Sequence, residues 1–187
     1  MANLTKKALA ASVMKLLESK PLDKITIKDI TDECGVTRNT FYYHFQDIYD
    51  LCSWIFISRA EEIMNAHRDE EQWEKGFLTG LEYLYEHKKM IYHVRRSISK
   101  EALDRYLDGV VVKYTLKFVR IKAREMNVCE AAQKTIAEFY KNAFIGKVLQ
   151  WIDEGMDTPP EKLATLCNNI FRGTVVNALL SADKVLS

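Results

Sequence analysis

Apolar residues recur at helical spacing along almost the whole chain. Leu9, Val13, Leu16 and Leu17 fall at i, i+4, i+7 and i+8 and predict a helix over about 5–19 with one buried face. Lys20-Pro21 ends it, because proline disfavours helical backbone in the residue before it. Thr26 then reads as an N-cap, with Asp29 three residues on as an imperfect capping box, and the helix it starts carries Ile27, Ile30 and Cys34 on its apolar side. Gly35 supplies a residue tolerant of positive φ for a tight turn. Thr37 caps a short helix with Phe41 and Phe45 on one side, and Asp47 caps a fourth that runs through Leu51, Ile55 and Ala60 to about His67.

Helix follows helix beyond that point. Acidic residues from Asp69 to Glu71 and at Glu74 suit a first helical turn, and Phe77, Leu81, Leu84 and Tyr85 continue its apolar face. Basic stretches at Lys88-Lys89 and Arg95-Arg96 mark a break and a short helix, and another helix is expected over roughly 100–126. The last two are the plainest: about 130–154, then Gly155-Met-Asp-Thr-Pro-Pro, then about 161–186, with glycine before and proline after the joint. The expected fold is all-α, with about nine helices. A three-helix helix-turn-helix domain over 1–46 precedes a helical bundle over 47–187.

Composition narrows the class. Three prolines and seven glycines in 187 residues leave few turns, which argues against an all-β fold. No apolar run follows the opening residues and none elsewhere approaches membrane-spanning length, so a cytoplasmic chain without signal peptide is expected. Cys34, Cys52, Cys129 and Cys167 lie far apart and read as small core residues under reducing conditions. The net charge of +1 is uninformative, but its distribution is not: +2 over 1–46, −7 over 47–87, +8 over 88–124 and −2 over 125–187.

Function concentrates in Thr26 to Leu51, TIKDITDECGVTRNTFYYHFQDIYDL. Between its core positions lie Thr37, Arg38, Asn39, Thr40, Tyr42, Tyr43 and His44. Arg pairs bidentately with guanine and Asn with adenine, while hydroxyls and imidazole reach phosphates. A solvated helix face ordinarily carries Glu and Lys, whereas no acidic residue occurs from Thr37 to Gln46. The segment resembles the N-terminal signature of TetR-family regulators. In that signature a Gly-Val-Thr/Ser turn leads into a helix ending Thr-Phe/Leu-Tyr-x-His-Phe, matched by Gly35-Val36-Thr37 and by Thr40 to Phe45. The upstream Thr26-Ile-x-x-Ile30 is in register. FYKNAFIGKVLQWIDEGM (Phe139 to Met156), together with PLDKITIKDI and YYHFQDIYDL, is similar to the branch that includes activators of dihydroxyacetone-kinase operons.

The resemblance implies a sequence-specific, DNA-binding transcription regulator acting as a homodimer on a palindromic double-stranded operator. A ligand-responsive repressor is the family's common mode, and an activator working with a partner protein is the alternative. By the same resemblance Thr26, Thr40, Tyr42 and His44 contact phosphates, and Thr37, Arg38, Asn39 and Tyr43 face base edges or nearby backbone. Lys6, Lys7 and Lys28 add phosphate charge. One departure is Ile48, where many members carry a phosphate-binding lysine at the start of the fourth helix.

In this family the last two helices form a four-helix bundle with a second subunit. Phe139, Ala143, Phe144, Val148 and Trp151, with Leu163, Leu166, Ile170, Val175 and Leu179, repeat at helical spacing and suit either that interface or an internal core. The basic residues from Arg95 to Arg124 either pair with the acidic 47–87 segment or offer a surface to an anionic effector or protein co-regulator, with Arg95, Arg96, Tyr106 and Tyr114 as candidates. Catalysis is not expected: HExxH, CxxC, GxSxG and glycine-rich phosphate loops are absent, and no cofactor or metal is called for. The remaining rival is a DNA-silent interaction module, supported by Ile48 and the low charge of the first 46 residues.

Overall fold

The computed structural model describes residues 2–67, 72–97 and 100–187, with backbone alone at 2, 64, 100–110 and 113. Among these residues there are nine α-helices, one 3-10 turn and no strand. In chain order the helices are α1 (Ala2–Leu17), α2 (Ile27–Cys34), α3 (Arg38–His44), α4 (Ile48–Ala66), α5 (Trp73–Glu86), α6 (Lys88–Ser97), α7 (Lys100–Ala123), α8 (Glu130–Asp153) and α9 (Pro160–Leu186). The expected acidic first turn at 69–71 lies outside the described residues. None of the described helices is long and apolar enough to cross a membrane.

The chain divides into two compact units, 1–60 with 86–104, and 61–85 with 105–187. The boundary therefore departs from the expected cut after residue 46: the first part of α4 and all of α6 join the helix-turn-helix segment. The reason is packing that local periodicity does not reveal. Met90, Ile91 and Val94 of α6 are buried, and α6 packs on α1 and on the turn Leu22–Lys24. His93 Nδ1 lies 2.6 Å from the Leu17 carbonyl oxygen, which the end of α1 leaves without a helical partner, and the Asp23 N–H donates to Ser97 Oγ at 3.3 Å.

In the first unit Leu9, Val13, Leu17, Ile30, Phe41, Phe45 and Leu51 are buried together. The helix pair α2–α3 rests on α1 through this core. In the second unit Trp73, Phe77, Phe118, Tyr140, Phe144 and Phe171 form one aromatic cluster. Its closest ring centroids, those of Trp73 and Phe118, lie 4.2 Å apart. Helices α8 and α9 pack along their lengths, joined by a turn in which Gly155 (φ 94°) and Met156 (φ 54°) are both left-handed. Burial of the Met156 side chain holds that non-glycine residue in a conformation it otherwise disfavours.

Candidate nucleic-acid interface

The interface is built from the turn outward. At the start of α2 the Asp29 N–H donates to Thr26 Oγ1 at 3.1 Å, and the Thr26 N–H donates to Asp29 Oδ2 at 2.8 Å. The capping box expected to be imperfect is thus complete. Those bonds, led by the one from the Thr26 backbone and reinforced by Lys20 at 3.2 Å, lower the Asp29 carboxyl from 3.8 to about 2. At the other end Gly35 takes φ 71°, and the Val36 N–H donates to the Thr31 carbonyl at 3.0 Å. The chain reverses within a few residues, and Thr37 opens α3 by accepting from the Thr40 N–H at 3.3 Å.

Phe41 (0% exposed) and Phe45 (3%) anchor α3 to the core, which turns the opposite side outward. Tyr43 is 81% exposed and Tyr42 57%; Arg38 and Asn39 are exposed, Thr40 and His44 half-buried. The edge of the His44 ring meets Tyr43, with centroids 4.9 Å apart. Every α3 residue singled out in the sequence therefore lies outside the core. Thr37 and Thr26 are exposed too, but their hydroxyls already serve as helix caps, with Thr37 Oγ1 also 3.0 Å from Thr40 Oγ1.

The lysines divide. Lys7 is exposed on α1. Lys6 places its ammonium over the rings of Phe45 (5.4 Å) and Trp54 (5.8 Å), clasping the end of α3 and α4. That cation–π role was not legible beforehand, because it depends on three segments meeting. Lys28 pairs with Asp32 at 3.8 Å one turn along α2. Asp47 accepts from the Asp50 N–H at 2.8 Å, as expected of the α4 cap.

The ten-residue stripe proposed for subunit contact separates by burial. Phe139 (65% exposed), Leu166 (50%) and Ile170 (55%) face outward, as does Ala143, and Val148 is half-buried. Phe144, Trp151, Leu163, Val175 and Leu179 are buried within the unit that contains them, a correction to their assignment to a surface. Trp151 also donates its indole N–H to the Thr158 carbonyl at 2.8 Å, fastening the α8–α9 joint. Helical spacing alone does not distinguish the two sides of a helix buried on one and exposed on the other. The outward set also includes Val176 (44%) and Leu180 (46%), which the sequence reading missed.

Arg95 (half-buried) and Arg96 (exposed) belong to the first unit and Tyr114 to the second; the Tyr106 side chain lies outside the described residues. Burial raises the Tyr114 phenol to about 12. Of the basic residues over 88–124, Arg120 pairs with Glu130 at 3.3 Å, at the start of α8 rather than in the 47–87 segment.

Comparison with known proteins bears on the family and the fold. Residues 9–53 match the family described as "Bacterial regulatory proteins, tetR family", and residues 71–173 match "Transcriptional regulator C-terminal region". Over 85 residues, 46% of each chain, the sequence is 33% identical to the HTH-type dhaKLM operon transcriptional activator DhaS of Lactococcus lactis subsp. lactis (strain IL1403). The aligned stretch is thus about half the length of that curated relative. A solved dihydroxyacetone kinase operon activator DhaS superposes with TM-score 0.68 at 23% identity, covering 97% of both chains. NalD, the secondary repressor of the MexAB-OprM multidrug efflux pump in Pseudomonas aeruginosa, superposes with TM-score 0.56 at 14% identity, covering 91% of this chain and 97% of that one. A putative tetR family regulator from Shewanella sp. PV-4 reaches the same TM-score of 0.56 and covers 89% of this chain and 95% of that one. With family matches spanning both the helix-turn-helix segment and most of the remaining chain, this protein is a member of the TetR family of transcriptional regulators.

Proposed function

We propose that this regulator binds a palindromic operator as a homodimer, with α3 in the major groove. The carrying observation is the outward side of α3: Arg38, Asn39, Tyr42 and Tyr43 project from a helix whose opposite side is locked down by Phe41. Arg38 and Asn39 are the base readers, and Tyr42, Tyr43 and His44 lie along the flanking backbone. Dimerisation supplies the second α3, since helix-turn-helix dimers read half-sites about 34–36 Å apart or at multiples of that spacing. Leu166, Ile170 and Leu180 on α9, with Phe139 on α8, are the exposed apolar residues that support it.

Activation is the proposed sign of regulation, on the 33% identity to a named operon activator, in place of the family's commoner repression. A reporter fused to the native promoter checks this: deleting the gene lowers expression under activation and raises it under repression. Effector or co-regulator response is assigned to Arg95 and Arg96; their double alanine variant abolishes it and leaves DNA binding intact, and an unchanged response rejects the assignment.

DNA binding itself is tested with a fluorescent duplex carrying the region beside the gene. Tight binding that weakens with salt and disappears in Arg38→Ala/Tyr42→Ala supports the reading. Absence of binding at low salt to that duplex and to a random-sequence pool rejects it in favour of a DNA-silent interaction module.

A further inference from the structure

The two helices that face DNA in this reading are electrostatically unsuited to strong phosphate attraction. Together α2 and α3 carry Lys28 and Arg38 against Asp29, Asp32 and Glu33, a net −1. The nearby cations are largely engaged: Lys15 with Glu33 at 2.5 Å, Lys20 with Asp29 at 3.2 Å, Lys28 with Asp32 at 3.8 Å, and Lys6 over the rings of Phe45 and Trp54. At the start of α4 stands Ile48, an apolar residue.

Of these carboxylates Asp32 has the weakest structural role, an exposed pair with Lys28 at 3.8 Å. Asp29 completes the α2 capping box, and Glu33 ties α2 to Lys15 of α1. Asp32 lies in the last turn of α2, where the helix dipole disfavours a negative charge, and Lys28 lies in the first turn, where it disfavours a positive one. The pair also runs lysine-first, the less favourable order for an i,i+4 pair, and both side chains are 66% exposed. The pair therefore adds little to local stability where it stands.

We infer that Asp32 is a specificity-determining residue of the DNA interface: by neutralising Lys28 it suppresses sequence-independent phosphate attraction and leaves discrimination to the α3 side chains. Ionic attraction to the phosphates supplies essentially all non-specific affinity, so removing it weakens binding to random DNA more than binding to the operator. The inference rests on the DNA-binding reading above and adds to it the origin of selectivity.

The test compares wild type, Asp32→Asn and Asp32→Asn/Lys28→Met on an operator duplex and on a random duplex across a salt series. With Asp32→Asn, affinity for random DNA rises severalfold and more than operator affinity does, and the log–log salt slope steepens by about 0.9 per subunit, the increment for one additional phosphate contact. Adding Lys28→Met removes both gains. Thermal melts accompany the titrations and show no loss of stability in Asp32→Asn, since the replacement relieves an unfavourable dipole interaction. Wild-type binding with unchanged slope and selectivity in Asp32→Asn overturns this inference alone. Failure of all three proteins to bind either duplex at low salt overturns the DNA-binding reading and this inference with it.

Discussion

Asp29 shows how much local structure one carboxylate organises. It accepts from the Thr26 N–H and meets Lys20, and its carboxyl falls to about 2 from 3.8. A carboxylate with a depressed folded-state value contributes stability that is fully present above the unfolded value. That contribution is lost as pH falls from about 4 towards 2, so Asp29→Asn is expected to flatten the acid limb of a melting-temperature profile in that window. A profile parallel to wild type below pH 4 would contradict the role. Gly35 is the other position set by backbone alone: at φ 71° nothing lies within 4 Å of an added Cβ, so Gly35→Ala meets only conformational strain. A cost of about 1 kcal/mol is expected from denaturant unfolding. Both residues were legible beforehand because caps and left-handed turns depend on a few consecutive residues. Lys6 was not, since its aromatic partners lie about forty and fifty residues away.

Helix α3 is only seven residues long, too short to hold its shape in isolation. It is stable because Phe41 is fully buried beneath it and Phe45 follows as its C-terminal cap. Phe41→Ala is expected to cost about 3–5 kcal/mol, as large-to-small changes at fully buried aromatics do. Tyr43→Ala, at an 81% exposed position, is expected to leave the melting temperature nearly unchanged while weakening operator binding. Equal losses of stability in the two variants would show that α3 is not oriented as described. The helix-turn-helix arrangement was readable from alternating core and surface positions. On α6 the apolar spacing of Met90, Ile91 and Val94 marks a buried face but not its neighbour, and that face covers α1 and the turn Leu22–Lys24.

For the assembled protein, α9 carries two apolar stripes of opposite fate. Leu163, Val175 and Leu179 are buried within the subunit, whereas Leu166, Ile170 and Leu180 are exposed. Ile170→Asp is therefore expected to leave helical content intact and shift the proposed dimer to monomer in sedimentation equilibrium, with operator affinity falling in step. Leu179→Asp, at a position 0% exposed, places an unpaired charge in the core and is expected to abolish folding. Wild-type sedimentation of Ile170→Asp would place the subunit contact elsewhere.

Local chemistry set the all-helical class, the caps of α2, α3 and α4, and which α3 residues lie outside the core. Periodicity, caps and glycine turns act over a few residues and need no tertiary partner. Tertiary structure alone decided which side of α8 and α9 is core, that α6 belongs with the helix-turn-helix segment, and that Lys6 is held over aromatic rings. Each of those outcomes depends on which distant segment covers an apolar face or approaches a charge, a choice made when the helices pack and one that spacing along a single helix does not carry.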